Sequence, residues 1–371
     1  MTDDSPQTEI LAARLAGTQW RTPAPAIEAL TTTGLAHDHF RLGGSGLLAR
    51  VPKQSQMALD PAANLAYQAA CFRRAVASGH VPRLAGVLDP GPDLPMGALL
   101  VEEIDGTPLA LPEGLQALAG ALAAIHALLL PDAADRAPLR DPADPLADTL
   151  AEIAAQAAFL EAAQLDPAAA SQIDRELSAA HALARLGRPP PATLIAFDAH
   201  PGNFLQTADG RAVLVDLEKA RYGMPGLDLA HATLYTSTTW DVATHAVLTH
   251  DHVAGFYAAW FDAVPAELAV ATRPWMLALR RVMWLWSVTW CAKWRVQSRG
   301  ASRSVSTENW SADLSAPDLV AHVAGRVADY LDPRTIASVR QDWHGDNALT
   351  DLLGPVDAAL LDCETGTARI G

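Results

Sequence analysis

The stretch Leu194–Arg221, LIAFDAHPGNFLQTADGRAVLVDLEKAR, constrains the fold more than any other part of the chain. It sets three polar side chains in an apolar context: Asp198, Asn203 five residues later, and Asp216 thirteen beyond that. Between the last two, Asn203–Thr207 and Arg211–Val215 are short apolar-alternating runs, as half-buried strands are. Ala208-Asp209-Gly210 separates them, and Gly210 can take the positive φ that a tight hairpin turn needs. The expected hairpin brings Asn203 and Asp216 together. Asp and Asn routinely cap turns and start hairpins. Only all three at this spacing, with His200-Pro201-Gly202 between them, point beyond that use.

Such a trio suits phosphoryl transfer, where one carboxylate meets a substrate hydroxyl while an amide and a second carboxylate hold magnesium on nucleotide phosphates. D-x-x-x-x-N followed by a strand-borne Asp resembles the kinase catalytic loop and its metal-binding Asp. More closely, DAHPGNF and VDLEKARYGMPGLDLA are similar to the aminoglycoside phosphotransferase and choline kinase family, whose pattern reads HGDLHPGN and then IDWE-A-x-x-G-x-x-x-x-DLA. The resemblance implies Asp198 as catalytic base, Asn203 and Asp216 as magnesium ligands, and Asp228 as the buried Asp of the DLA element. It implies ATP and Mg2+ as cofactors. His200 is expected to be a hydrogen-bonded brace. Ala196 and Phe197 depart from the pattern, standing where the family has His and Gly, so the loop loses a polar brace and gains bulk.

A chain of 371 residues with 50% apolar content suits two lobes, at about 150 residues per domain. The net charge of −15 argues against nucleic acid or an anionic membrane surface as partner, because both reward Lys and Arg. It is compatible with a cationic substrate. Cys71, Cys291 and Cys363 form no C-x-x-C pair and no metal spacing, which reads as reduced thiols in a cytoplasmic protein. MTDDSPQTE has no apolar core of a secretory signal, and Arg280 and Arg281 interrupt the most apolar late helix, so no membrane span is expected.

In chain order, Thr8–Leu15 reads as a short helix, followed by a Pro-punctuated segment to Ala26 and a second short helical piece to Leu30. His39–Leu42 and Leu47–Val51 read as strands around Gly43-Gly44-Ser45-Gly46, a turn whose backbone, Gly44 and Ser45 included, could approach phosphates or simply close a hairpin. Relative to the family hairpin one strand is missing, so a shortened phosphate loop is expected. LLARVPK resembles the family strand that ends in a phosphate-binding cation, which implies Arg50, with Lys53 second. Asp60-Pro61 opens a helix that Gly79 ends. On it, Gln68 stands where the family has a Glu paired with that cation, and its amide can hydrogen-bond Arg50 without supplying charge.

VEEIDG resembles the family hinge, with backbone groups of Glu102, Glu103 and Ile104 placed to bond adenine. Leu115, Leu118, Leu122, Ile125 and Leu129 form an amphipathic helix, with His126 at the edge of its apolar face. A loop from Pro131 to Asp148 and Ala-rich helices over Thr149–Leu186 lead to the catalytic loop, and the chain after Asp228 reads as mostly helical to Leu331. Leu279, Met283, Trp286, Trp290 and Trp294 share one helical face, which suits core packing or a cage for a quaternary ammonium. Asp342, Asp346, Asp351, Asp357, Asp362 and Glu364 lie where aminoglycoside-modifying relatives hold substrate ammonium groups, or form a solvated acidic face.

The expected architecture is α+β and kinase-like: a small sheet-bearing N-terminal lobe, residues 1–103, and a larger mainly helical lobe, 104–371. The expected reaction is transfer of the ATP γ-phosphate to a hydroxyl of a small molecule, amine-bearing acceptors of the aminoglycoside phosphotransferase kind among the candidates. A choline/ethanolamine-type kinase and a non-catalytic nucleotide-binding pseudokinase are the alternatives. Oligomeric state is not legible.

Overall fold

Two hairpins and a helix explain the N-terminal region. The structure, a computed structural model, describes residues 6–30, 36–185, 191–299 and 317–353. Helix α1 (Pro6–Leu15) precedes β1 (Ile27–Ala29), β2 (His37–Leu42) and β3 (Leu47–Pro52). Helix α2 (Pro61–Ala75) then leads to β4 (Leu84–Leu88) and β5 (Ala98–Glu102). The five strands form one antiparallel sheet in the order β1-β2-β3-β5-β4. The expected helical piece before Leu30 is instead β1, a three-residue strand too short to show a period of its own. It is also the strand the sequence reading counted as missing. Helix α2 starts as expected: Asp60 accepts from the Ala63 N–H at 2.9 Å, and Gly79 follows it with φ +73°.

Strand β5 shows why the sheet is covered on both faces. Ala98 and Leu100 join Leu11 and Leu15 of α1 in one apolar cluster, while Leu99 and Val101 join Leu65 and Phe72 of α2 in another. Successive side chains of a strand point to opposite faces, so one strand serves both layers. The second cluster continues without interruption into the rest of the molecule.

Beyond β5 the chain forms β6 (Gly106–Pro108), α3 (Leu115–His126), α4 (Pro145–Ala157) and α5 (Pro167–Leu183). Strands β7 (Thr193–Ile195), β8 (Phe204–Thr207), β9 (Ala212–Leu214) and β10 (Arg221–Gly223) carry the motif-bearing stretch. They pair as β7 with β10 and as β6-β8-β9. Helices α6 (Pro225–Thr233), α7 (Tyr235–Thr238), α8 (His250–Ala263), α9 (Ala266–Thr272), α10 (Met276–Arg299), α11 (Pro317–Tyr330), α12 (Pro333–His344) and α13 (Ala348–Leu353) complete the described fold. The long α10 packs against α4, α5 and α6, with Met283 and Trp284 wholly buried. Among the described residues no helix is long and apolar enough to cross a membrane.

One late expectation is corrected here and the choice between two readings of another is decided. Asp342 is not a substrate-facing carboxylate: it is held by Arg280 at 2.6 Å and by His250 at 3.1 Å, bracing α12 against α10 and α8. The tryptophan stripe is packing: Trp286 donates to Glu152 at 3.0 Å and Trp290 stacks edge-on against Trp240. Asp357, Asp362, Glu364 and Cys363 lie outside the described residues; Cys71 and Cys291 are buried free thiols.

Candidate active site

The expected hairpin forms and sets the site. Phe204 pairs with Leu214 and Gln206 with Ala212 across β8 and β9, and Gly210 takes φ +85° at the turn. The ladder extends one step further, where the Val215 N–H donates to the Asn203 carbonyl at 2.9 Å. That bond fixes Asn203 beside Asp216. A short 3-10 turn, Pro201–Asn203, folds the preceding chain back, so that the Asn203 side-chain amide donates to the Asp198 carbonyl at 2.8 Å. With its NH2 spent there, Asn203 keeps Oδ1 as the atom available to a cation.

The base of the loop is tied down by Asp228 from α6. Its carboxylate accepts from the N–H groups of Ala196 at 2.7 Å and Phe197 at 2.8 Å, and from His126 Nε2 at 3.1 Å. His126, at the apolar-face edge in the sequence, is fully buried and also accepts from the Trp260 indole at 3.0 Å. The departures at 196 and 197 are thereby accommodated: backbone N–H groups supply the bracing. Phe197 does sit at φ +59°, a left-handed conformation uncommon for a bulky residue. Its ring is held between the Arg221 guanidinium, 3.6 Å from the ring centre, and the Trp286 ring at 5.4 Å.

Asp198 is flanked by residues the sequence reading did not single out. Lys219 Nζ lies 2.7 Å from Oδ2, and His231 Nδ1 lies 3.8 Å from Oδ1. Burial opposes the Asp198 charge, but the Lys219 ammonium, with smaller contributions from His200 and His231, outweighs it and holds the carboxyl well below the usual range. Burial in turn lowers His231 to about 4, which keeps its imidazole neutral. The hint for Lys219 was a lone cation three residues after Asp216; His231, three residues after Asp228 on the same helix, gave none. His200 lies edge-on to His231, and its buried Nδ1 has no partner among the described residues, so that nitrogen braces nothing.

The cation that reaches Asp216 is Arg50. Its Nη2 lies 2.9 Å from Asp216 Oδ1 and its Nη1 bonds the Val215 carbonyl, with the guanidinium 5.7 Å from the Phe72 ring centre. Lys53 instead pairs with Asp38 at 3.3 Å. Gln68 does not bond Arg50: its Oε1 pairs with His37 Nε2 at 3.0 Å. His37 also lies 3.8 Å from Glu218, whose carboxyl burial and the Asp216 charge push up to about 8.

The glycine turn lies elsewhere. Gly44 and Gly46 take φ +74° and +69°, and Ser45 spends its hydroxyl inside the turn on the Leu42 carbonyl and the Leu47 N–H. The turn abuts Glu103, whose N–H donates to the Gly46 carbonyl at 2.9 Å. Ser45 is thus about 16 Å along the strand from Arg50, so the turn that holds Gly44 and Ser45 lies well away from the carboxylate that Arg50 meets. The connection on the other end of the sheet, between β1 and β2, falls largely in 31–35, outside the described residues. At the β5 end, the Glu102 N–H donates to the Arg83 carbonyl and the Glu103 carboxylate accepts from Arg41 at 2.6 Å. Among the described residues Ile104 makes neither kind of backbone pairing.

A carboxylate beside a lysine, an amide and a second carboxylate set by one hairpin, and an arginine on that second carboxylate, carried by an antiparallel sheet and a helical remainder, fit a kinase-like phosphotransferase arrangement. The chain belongs to the phosphotransferase enzyme family, whose profile matches residues 32–270. Its fold is similar to that of a choline/ethanolamine kinase family protein from Mesorhizobium loti, at 18% identity over 95% of this chain and 98% of that one, with a TM-score of 0.57. Choline kinase from Cryptosporidium parvum Iowa II aligns at 15% identity over 95% and 99%, also at 0.57. Aminoglycoside 2'-phosphotransferase-IIIa, solved as its GDP complex, aligns at 12% identity over 89% and 98%, again at 0.57. At such identities the likeness is one of fold. No curated protein matches the chain by sequence.

Proposed function

We propose that the protein is a small-molecule kinase that moves the γ-phosphate of ATP to a hydroxyl of a small acceptor. The observation that carries this reading is the convergence of Asp198, Asn203 and Asp216, locked by the Asn203–Val215 bond and the Asn203–Asp198 bond. The donor set fits magnesium: an amide oxygen and a carboxylate are hard oxygen ligands of the kind that ion takes, with its remaining positions left to phosphates and water. Asn203 and Asp216 would hold the ion, which supplies charge neutralisation on the phosphates when bound.

The protein's own residues do the rest. Arg50 exchanges Asp216 for the nucleotide phosphates, as a bidentate guanidinium can. In the Glu102–Ile104 connector, between a nucleotide-binding part to residue 103 and a catalytic part from 104, Ile104 receives the adenine, because the Glu102 and Glu103 N–H groups already donate to the Arg83 and Gly46 carbonyls. Asp198 accepts the proton of the acceptor hydroxyl. The fixed loop at Ala196 and Phe197 supports an active enzyme over a pseudokinase, because the Asp228 clamp holds the base in place.

Calorimetric titration of ATP with and without magnesium, on the parent and on Asp216→Asn, tests the reading. Magnesium-dependent binding that the variant loses supports it, and a screen of amino alcohols, sugars and aminoglycosides then seeks the acceptor. Absence of binding by ATP and by GTP overturns it.

A further inference from the structure

The two oxygens of Asp198 are not equivalent. Lys219 occupies Oδ2 at 2.7 Å. Oδ1 faces His231 Nδ1 across 3.8 Å, too far for a direct hydrogen bond. His231 Nδ1 is buried and has no partner among the described residues. Buried ring nitrogens of native proteins are almost always bonded, so an orphan beside a catalytic carboxylate marks a place that something else fills.

The spacing suits one occupant. An oxygen placed about 2.8 Å from each atom completes a triangle on the 3.8 Å edge with ordinary hydrogen-bond lengths. With the ring proton on Nδ1, such an oxygen accepts from Nδ1–H and donates to Oδ1, which a hydroxyl or a water does and an ammonium or a carboxylate does not. Both side chains keep an edge toward solvent, 22% exposed for Asp198 and 11% for His231, although Nδ1 itself is buried. The helix explains the aim. Asp228 and His231 are three residues apart on α6 and share a face, so the turn that clamps the Ala196 and Phe197 N–H groups also presents His231 to the carboxylate they position.

We infer that His231 Nδ1 and Asp198 Oδ1 form the seat of the acceptor hydroxyl, with Lys219 fixing the carboxylate so that Oδ1 is the oxygen that acts as base. This rests on the phosphotransfer reading for its chemistry, though not for its geometry. The seated hydroxyl donates to Oδ1 and accepts from Nδ1–H, which leaves one lone pair for phosphorus. As the new O–P bond forms, the hydroxyl proton passes to Oδ1, the bond from phosphorus to the bridging nucleotide oxygen breaks, and ADP leaves. His231 keeps its proton throughout and orients the nucleophile.

Two measurements test this. The first needs neither nucleotide nor acceptor: a crystal structure of the parent at high resolution, in which water stands in for the hydroxyl. The expected result is an ordered water about 2.7–3.2 Å from both atoms, missing in His231→Leu. A direct Nδ1 bond to a protein group, with no such water, overturns the seat whether or not the protein is a kinase. The second measures ADP formation from Mg-ATP with a panel of glycerol, 2-aminoethanol and kanamycin, water alone serving as the slow acceptor. His231→Leu is expected to lose about 100-fold in turnover with ATP affinity within twofold, while His231→Asn, whose amide N–H can occupy the Nδ1 position, keeps most of it. Turnover unchanged in His231→Leu, or lost equally in both variants, overturns the role. If ATP fails to bind the parent, the kinase reading falls and the bridging water alone decides the seat.

Discussion

Arg50 Nη2 lies 2.9 Å from Asp216 Oδ1, so the arginine of β3 holds the carboxylate that metal-bound nucleotide would claim. Removing either partner should therefore act on nucleotide binding. Arg50→Ala is expected to weaken Mg-ATP by about 10- to 100-fold, the worth of charged hydrogen bonds. Lys53→Ala, whose ammonium pairs with Asp38, should stay within twofold. Calorimetry on the two variants separates the candidates, and the opposite ranking would move the phosphate cation to Lys53.

Asp198→Asn keeps the shape of the side chain and removes the proposed base. Turnover should fall by about 100-fold or more, the ordinary scale of general-base loss, while ATP affinity holds. Equal turnover in a coupled ADP assay would reject the assignment.

Asp228 is completely buried, with two backbone N–H groups and His126 on its carboxylate. Asp228→Ala leaves those donors unpaired. A loss of about 3–5 kcal/mol in urea unfolding is expected, together with lower turnover. A loss under about 1 kcal/mol would mean that water replaces the clamp.

Phe197→Gly sets two effects against each other. Glycine relieves the strain of φ +59°, worth about 1–2 kcal/mol. It also deletes a buried ring packed between Arg221 and Trp286, worth about 3–5 kcal/mol. Packing wins, so the variant should be less stable by about 2 kcal/mol in calorimetric or denaturant melting. A more stable variant would show that strain dominates.

Glu176, 2% exposed on α5, accepts from Arg281 at 2.8 Å and Arg340 at 2.7 Å and ties α10 and α12 together. Burial opposes its charge, but His344, Arg281 and Arg340 outweigh burial and hold the carboxyl at about 2. A depressed folded-state value gives stability that is full above the unfolded pKa near 4.5 and lost as pH falls through the folded one. Of order 3 kcal/mol should disappear between those values. The urea midpoint of the parent should drop more steeply across that window than that of Glu176→Gln.

What could be read from the chain is local. D-x-x-x-x-N, a turn glycine and alternation on both sides were enough for the hairpin, because strand period and turn chemistry act over a few residues. The start of α2 at Asp60-Pro61 was legible for the same reason. Strand β1 was not: three residues carry no periodicity, and pairing with β2 alone makes Ile27–Ala29 a strand. The glycine turn stayed open between two readings because positive φ serves a hairpin as well as it serves a phosphate.

By itself, then, the sequence determined the family, the β8–β9 hairpin and the identities of Asp198, Asn203 and Asp216 as the polar residues around it. Tertiary structure alone decided which side chains surround them. Arg50 finds Asp216 across 166 residues of chain, His126 finds Asp228 across 102, His37 takes Gln68 across 31, and Lys219 reaches Asp198 across 21. Contacts of that separation depend on how sheet and helices pack and on how far each side chain reaches. Neither quantity leaves a period or a motif in the residues themselves.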